Sequence, residues 1–194
     1  MNIGAATNTD AETGFRRALE AMTCPRVLEL GTLRSERDHP THHAVWLPTD
    51  AEFVMSDYGP GVDVDICADA HDLSGVFGTE SFDAVIAVSV WEHLQRPWIA
   101  TCEIGRILRP GGIVYLASHQ TFPYHPYGTS AHQDGWRFSE SCWVTMLADA
   151  GIEPVATSYA FPCRILPDRS KVTRWNEAAP AWLNSDAYGR KLAK

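Results

Sequence analysis

Residues 82–116, FDAVIAVSVWEHLQRPWIATCEIGRILRPGGIVYL, decide the fold. AVIAV and IVYL are short apolar runs of the kind that a parallel sheet buries on both faces. Between them, over 96–108, apolar residues recur at three- and four-residue spacing with polar ones between, which is the period of a helix. Arg109-Pro110-Gly111-Gly112 stops that helix and turns the chain into the second run. The stretch therefore reads as one βαβ unit.

Working upstream, residues 26–31 (RVLELG) form a first strand ending in a glycine that permits a tight turn. The segment after it, RSERDHPTHH, is charged and contains Pro40, so the helix expected there is short or absent. Residues 51–56 give a second strand with Asp57 at its end, and 62–67 a third, followed by ADAHDL. Residues 13–22 have a helical face of Phe15, Ala18, Leu19 and Met22.

Downstream, 118–138 is a long aromatic insertion holding His119, His125 and His132, and insertions of that length inside a compact domain are functional or mobile. Ser139 then caps a helix running to Ala150, and Gly151 ends it. Residues 153–161 are β-prone. The tail beyond Pro167 reads as two short helices split at Pro180, available to cover the core or build a homodimer contact.

The chain of 194 residues suits one domain, and 45% hydrophobic with 21% charged residues is ordinary for a soluble globular protein. A net charge of −8 disfavours a nucleic-acid surface. No window approaches the ~20 apolar residues of a membrane span. The first residues show no signal peptide, so the cytoplasm is the expected compartment. Five scattered cysteines without a C-x-x-C pair argue against disulfides and structural zinc. The spacing of His119, His125, His132 and Asp134 matches no standard zinc pattern, so no metal is expected.

SVWEHL followed by RILRPGGIVYL, with VLELG, SDY and ADAHDL upstream, resembles the ordered motifs of the class I S-adenosylmethionine-dependent methyltransferases over about residues 26–153. The resemblance implies an α/β fold, a Rossmann-like three-layer sandwich with a mostly parallel central sheet. Here the seventh strand is expected to be truncated, since only 163–166 is available for it. The implied layout is a single domain over 1–194, with a core at about 26–161, an aromatic lid at about 119–138 and a helical tail at about 168–194.

The resemblance also implies S-adenosylmethionine as cofactor and a cradle made of Glu29, Gly31, Thr32, Asp57, Tyr58, Asp69, Ala70, Ser89 and Val90. Asp57 ends a strand where a carboxylate can accept both ribose hydroxyls. Asp69-Ala70 matches the acid-then-small pair that meets the adenine, and Ser89-Val90 lines the cofactor through backbone. Leu33 and Ser35 stand where the family keeps later glycines.

His93, His125 and His132 are the candidate bases, with His119 a further one, because imidazole suits proton transfer near neutrality. The expected reaction is O- or N-methylation of a small-molecule acceptor by in-line transfer. The other reading is a methyltransferase-like protein that has lost catalysis and serves as a binding or assembly subunit.

Overall fold

The structure is a computed structural model and describes residues 10–34, 40–126, 133–166 and 179–193. In chain order the elements are α1 (Asp10–Glu20), β1 (Arg26–Leu30), β2 (Glu52–Asp57), β3 (Ile66–Cys67), α2 (Leu73–Phe77), β4 (Phe82–Val88), α3 (Pro97–Ile107), β5 (Leu108–His119), α4 (Glu140–Asp149), β6 (Ile152–Ile165) and β7 (Ala179–Lys191). Short 3-10 turns lie at Ala44–Trp46 and Trp91–His93.

All seven strands join one sheet in the order β3-β2-β1-β4-β5-β7-β6. The pairs from β3 to β5 are parallel, while β7 runs antiparallel between β5 and β6. A period of two sorts side chains onto the two faces. Leu28, Val85, Ala87, Val114 and Leu116 face one side, against Leu73, Ala100, Ile104, Trp143 and Leu147 of α2, α3 and α4. Val27, Ala84, Ile86, Ile113 and Tyr115 face the other, against Ala11, Phe15 and Leu19 of α1. This is the three-layer sandwich with a mostly parallel sheet.

The RPGG turn is a kink at the entry to β5, which pairs Phe82 with Leu108 and then resumes at Ala84 with Ile113. Gly111 there has φ 80, a left-handed backbone that glycine adopts without strain. Gly105 lets α3 approach α4, because an added Cβ would strike the Ala150 carbonyl.

Three expectations are corrected. The sheet is not truncated: β7 spans Ala179–Lys191, and residues 163–165 belong to β6. The helical tail fails over the same residues, while 167–178 lie outside the described chain. Helix-forming Ala, Leu and Lys are overridden there by pairing on both sides with β5 and β6. Pro180 is tolerated because β5 pairs only with 184–190, leaving Pro180 opposite Arg164 alone.

The third strand is also shorter than expected, since only Ile66–Cys67 pairs. Asp63 has φ 64, a left-handed backbone outside the strand region, and it forms an ion pair with Arg34. No helix among the described residues is long and apolar enough to cross a membrane.

Candidate active site

In an open α/β sheet, ligands bind outside the carboxyl ends of the strands, which here gathers the loops after β1, β2, β3, β4 and β5. A shallow depression of about 380 Å³ lies at the opposite end, among Cys24, Pro25, Asp83, Arg109 and Gly111. The candidate carboxylates and histidines lie instead at the carboxyl ends of the strands.

The β1 side is closed from within the chain. Glu29 is buried, and its two oxygens accept the His43 backbone N–H at 2.8 Å and meet His43 Nδ1 at 2.6 Å. Gly31 has φ 81, and a Cβ added there would lie 2.3 Å from Val90 Cγ2. Thr32 is buried and donates its hydroxyl to the Asp63 carbonyl at 2.6 Å. Leu33 fills the space over Gly61. Between Pro40 and Asp50 the only described helix is the 3-10 turn, in keeping with a short or absent helix after β1.

The nucleoside side is open. Asp57 accepts the Leu33 N–H on one oxygen at 3.1 Å and the Tyr58 N–H on the other at 2.7 Å. A carboxylate has about four acceptor positions, so each oxygen keeps one. Asp69 follows β3 and holds both His71 groups on Oδ1, with His71 Nε2 accepting the Arg96 N–H. Burial opposes ionisation of Asp69, but the His71 contacts outweigh it and hold its carboxyl below the usual range.

Tyr58 is 59% exposed beside these two acids, and Ala70 is buried. Ser89 is exposed with φ 55, a strained conformation for a non-glycine residue, at the end of β4. Asp57 and Asp69 therefore present acceptors that fit the hydroxyls and amine of a nucleoside, while the space by Gly31 is taken by Val90.

Beyond β4 and β5 lies a buried polar cluster. Glu92 is fully buried, and its Oε2 accepts the Ser118 hydroxyl at 2.5 Å. His119 Nε2 stands 3.0 Å from Glu92 Oε1, at ion-pair distance but off the line of a hydrogen bond. His119 Nδ1 meets Asn184 Oδ1 at 3.0 Å, and its ring stacks on Phe122 at 4.2 Å. His125 sits with its centroid 4.7 Å from His119 and 5.2 Å from His93.

Asp134 receives the His125 N–H at 2.7 Å and is gripped by both terminal nitrogens of Arg137. Arg137 and then the His125 amide hold the Asp134 carboxyl far below the usual range, against the effect of burial. Burial pushes His93 below its ordinary value, more than Glu92 pulls it up. Burial also opposes protonation of His119, but Glu92 outweighs it and raises the imidazole.

The insertion packs back over this cluster. Gly135 donates to the Glu92 carbonyl at 2.9 Å, Trp136 Nε1 to the Leu94 carbonyl at 2.8 Å, and Phe138 to the His119 carbonyl at 2.8 Å. The structure thus brings His93, His119 and His125 together, whereas His132 falls outside the described residues. Sequence reasoning did not single out His43, Glu92, Asn184 or Arg137. Only Glu92, beside His93 in the SVWEHL loop, carried a local signal.

Residues 44–116 match the sequence model of the methyltransferase domain family. No curated protein matches the chain in sequence. Among solved structures, a Burkholderia thailandensis 1,6-didemethyltoxoflavin-N1-methyltransferase with bound 1,6-didemethyltoxoflavin and S-adenosylhomocysteine is 17% identical, covering 96% of this chain and 80% of its own, with a TM-score of 0.61. A SAM-dependent methyltransferase from Archaeoglobus fulgidus is 15% identical over 92% of each chain, with a TM-score of 0.61. The cyclase SpnF shares the fold at 15% identity over 94% of this chain and 81% of its own, with a TM-score of 0.58.

Proposed function

We propose that this chain, in which residues 44–116 match the methyltransferase domain family, is a class I S-adenosylmethionine-dependent methyltransferase that methylates a small-molecule acceptor at the carboxyl ends of β1, β2, β4 and β5. One observation carries the reading. Asp57 and Asp69 stand at the ends of two paired parallel strands, each with acceptor capacity left for a nucleoside.

In this reading Asp57 takes the ribose hydroxyls, and Asp69 with Ala70 takes the adenine edge. Tyr58 lies beside the base, and Ser89 and Val90 line the cofactor through backbone. Glu29, Gly31 and Thr32 back the cradle. Bound S-adenosylmethionine supplies a methyl group on a sulfonium, open to in-line displacement. The chain's own work is then alignment and exclusion of water. His93 and His125 face the acceptor from the polar cluster. A net charge of −8 supports a small acceptor over a nucleic acid.

Calorimetric titration with S-adenosylmethionine and S-adenosylhomocysteine tests this. Micromolar binding is expected, weakened about tenfold to a hundredfold by Asp57→Ala and by Asp69→Ala, as loss of a charge-assisted hydrogen bond implies. Absence of binding by either nucleoside at millimolar concentration refutes the cradle. That result would favour the second reading, a binding or assembly subunit, which the His43–Glu29 contacts and the Val90–Gly31 closure support.

A further inference from the structure

We propose that Glu92, His119 and His125 form a site for one divalent first-row transition-metal ion, of the zinc or iron(II) kind. The three come from the turn after β4, the end of β5 and the insertion, and one ligand atom from each lies within 4.8 Å of the other two. Two imidazoles and one carboxylate form a donor set suited to such ions, which leaves coordination positions open for an acceptor's oxygen or nitrogen.

The atoms behind the ligands are the stronger argument. A metal-binding histidine needs its second nitrogen held by an acceptor, so that the first presents its lone pair. His125 Nδ1 lies 3.0 Å from Asp134 Oδ2 and 2.9 Å from the Pro123 carbonyl. Asp134 is itself fixed by Arg137. His119 Nδ1 lies 3.0 Å from Asn184 Oδ1. In both rings Nε2 is then the nitrogen left to bind the ion, and that of His119 stands 3.0 Å from Glu92 Oε1. The carboxylate is oriented the same way, with Ser118 holding Glu92 Oε2.

What remains is Glu92 Oε1, fully buried and without a hydrogen-bond partner. His93 Nδ1 is a second buried atom without one, and His93 Nε2 is 3.9 Å from the same oxygen. A buried polar atom left unsatisfied calls for a ligand or ion, and a cation among Glu92, His119 and His125 would answer Glu92 Oε1. The pattern was hidden in the sequence because Glu92 is 26–27 positions from Ser118 and His119, and Asp134 supports a ligand rather than being one. The site does not depend on the cofactor reading.

The test uses the full chain, stripped with a chelator and titrated with Zn²⁺ in a calorimeter and with Co²⁺ in a spectrophotometer, without nucleoside. One equivalent is expected to bind with micromolar affinity or better, and Co²⁺ to give visible ligand-field bands. Glu92→Gln, His119→Ala and His125→Ala should each weaken binding by a hundredfold or more. Asp134→Asn should weaken it tenfold to a hundredfold through the orientation of His125. Glu52→Gln, at the start of β2 and so at the opposite end of the sheet, should leave Zn²⁺ binding unchanged.

Circular dichroism checks that each variant is folded. If a ligand variant fails to fold, Asp134→Asn and the Co²⁺ spectrum of the wild-type chain still decide. Absence of a stoichiometric site in the wild-type chain overturns the proposal. So does Zn²⁺ binding that survives the ligand substitutions in folded protein.

Discussion

Replacing Gly31 by alanine separates two constraints on the loop after β1. The backbone there has φ 81, a left-handed conformation that costs an L-residue about 1–2 kcal/mol. The new Cβ would lie 2.3 Å from Val90 Cγ2, where carbon atoms rest at about 3.5 Å or more, so Val90 must retreat by about 1.2 Å. Overpacking of this kind costs about 1–3 kcal/mol. The sum is about 2–5 kcal/mol. In a chain of this length that lowers the melting temperature by roughly 4–20 °C, at about 2–4 °C per kcal/mol.

Val90→Ala removes the obstacle but not the backbone strain. Alone it should cost about 1–2 kcal/mol for two lost methyl groups at a partly buried position. In urea denaturation of Gly31→Ala, Val90→Ala and the double variant, the double should be more stable than the sum of the singles by about 1–3 kcal/mol. Additive behaviour, or a Gly31→Ala variant as stable as the wild type, would refute the idea that Val90 fills the space before Gly31.

Two further stability predictions follow from buried contacts. Ser185→Ala removes the hydroxyl that accepts from Trp143 Nε1 at 2.8 Å and donates to the Phe138 carbonyl at 2.7 Å, so it should cost about 2–5 kcal/mol in urea denaturation. An unchanged midpoint would mean that β7 is not locked to α4 through this residue. Glu103 is buried, which opposes its charge, but the Ser74 N–H at 2.7 Å and Arg106 outweigh this and hold its carboxyl below the usual range. Its contribution is then complete above the unfolded value of about 4.3 and is lost as pH falls through the lower folded value. The stability gap between wild type and Glu103→Gln should accordingly shrink on acidification, and a gap constant from pH 7 to pH 3 would contradict the assignment.

The parts of the fold legible in the sequence are those with a strong period. The continuous apolar runs of β1, β4 and β5 and the three–four spacing of α3 are each set by burial against neighbouring layers, and burial leaves its pattern in one dimension. β7 is different. Its centre holds Asn184, Ser185 and Asp186, which read as loop or helix surface. In the fold they are matched by His119, Trp143 and Tyr115, from distant elements.

The site divides in the same way. Asp57 and Asp69 were legible because a strand end places them. The capture of Glu29 by His43 was not, because it depends on how an aperiodic loop returns to the sheet. Glu92 was hidden for a related reason: its partners Ser118 and His119 reach it only because β4 and β5 are neighbours.

The two ends of the cleft are in opposite states of satisfaction, and this says where each ligand meets resistance. At the β1 end the chain supplies its own partners, His43 to Glu29 and Val90 to the face of Gly31, so a cofactor's amino-acid moiety enters only by displacing them. At the β5 end the chain leaves Glu92 Oε1 with an ion-pair neighbour in His119 but no hydrogen bond, and His93 Nδ1 without a hydrogen bond, although their surroundings are firmly tied by Arg137, Asn184 and Ser118. A rigid frame around unsatisfied atoms is preorganised, and a ligand that supplies the missing partner has little ordering left to do. The two acids proposed for the nucleoside end β2 and follow β3, on the far side of β1 from β5, and are half satisfied. Binding at the polar cluster therefore needs only side-chain adjustment within a fixed frame, whereas the complete cradle requires Glu29 and Gly31 to give up the contacts that His43 and Val90 already make.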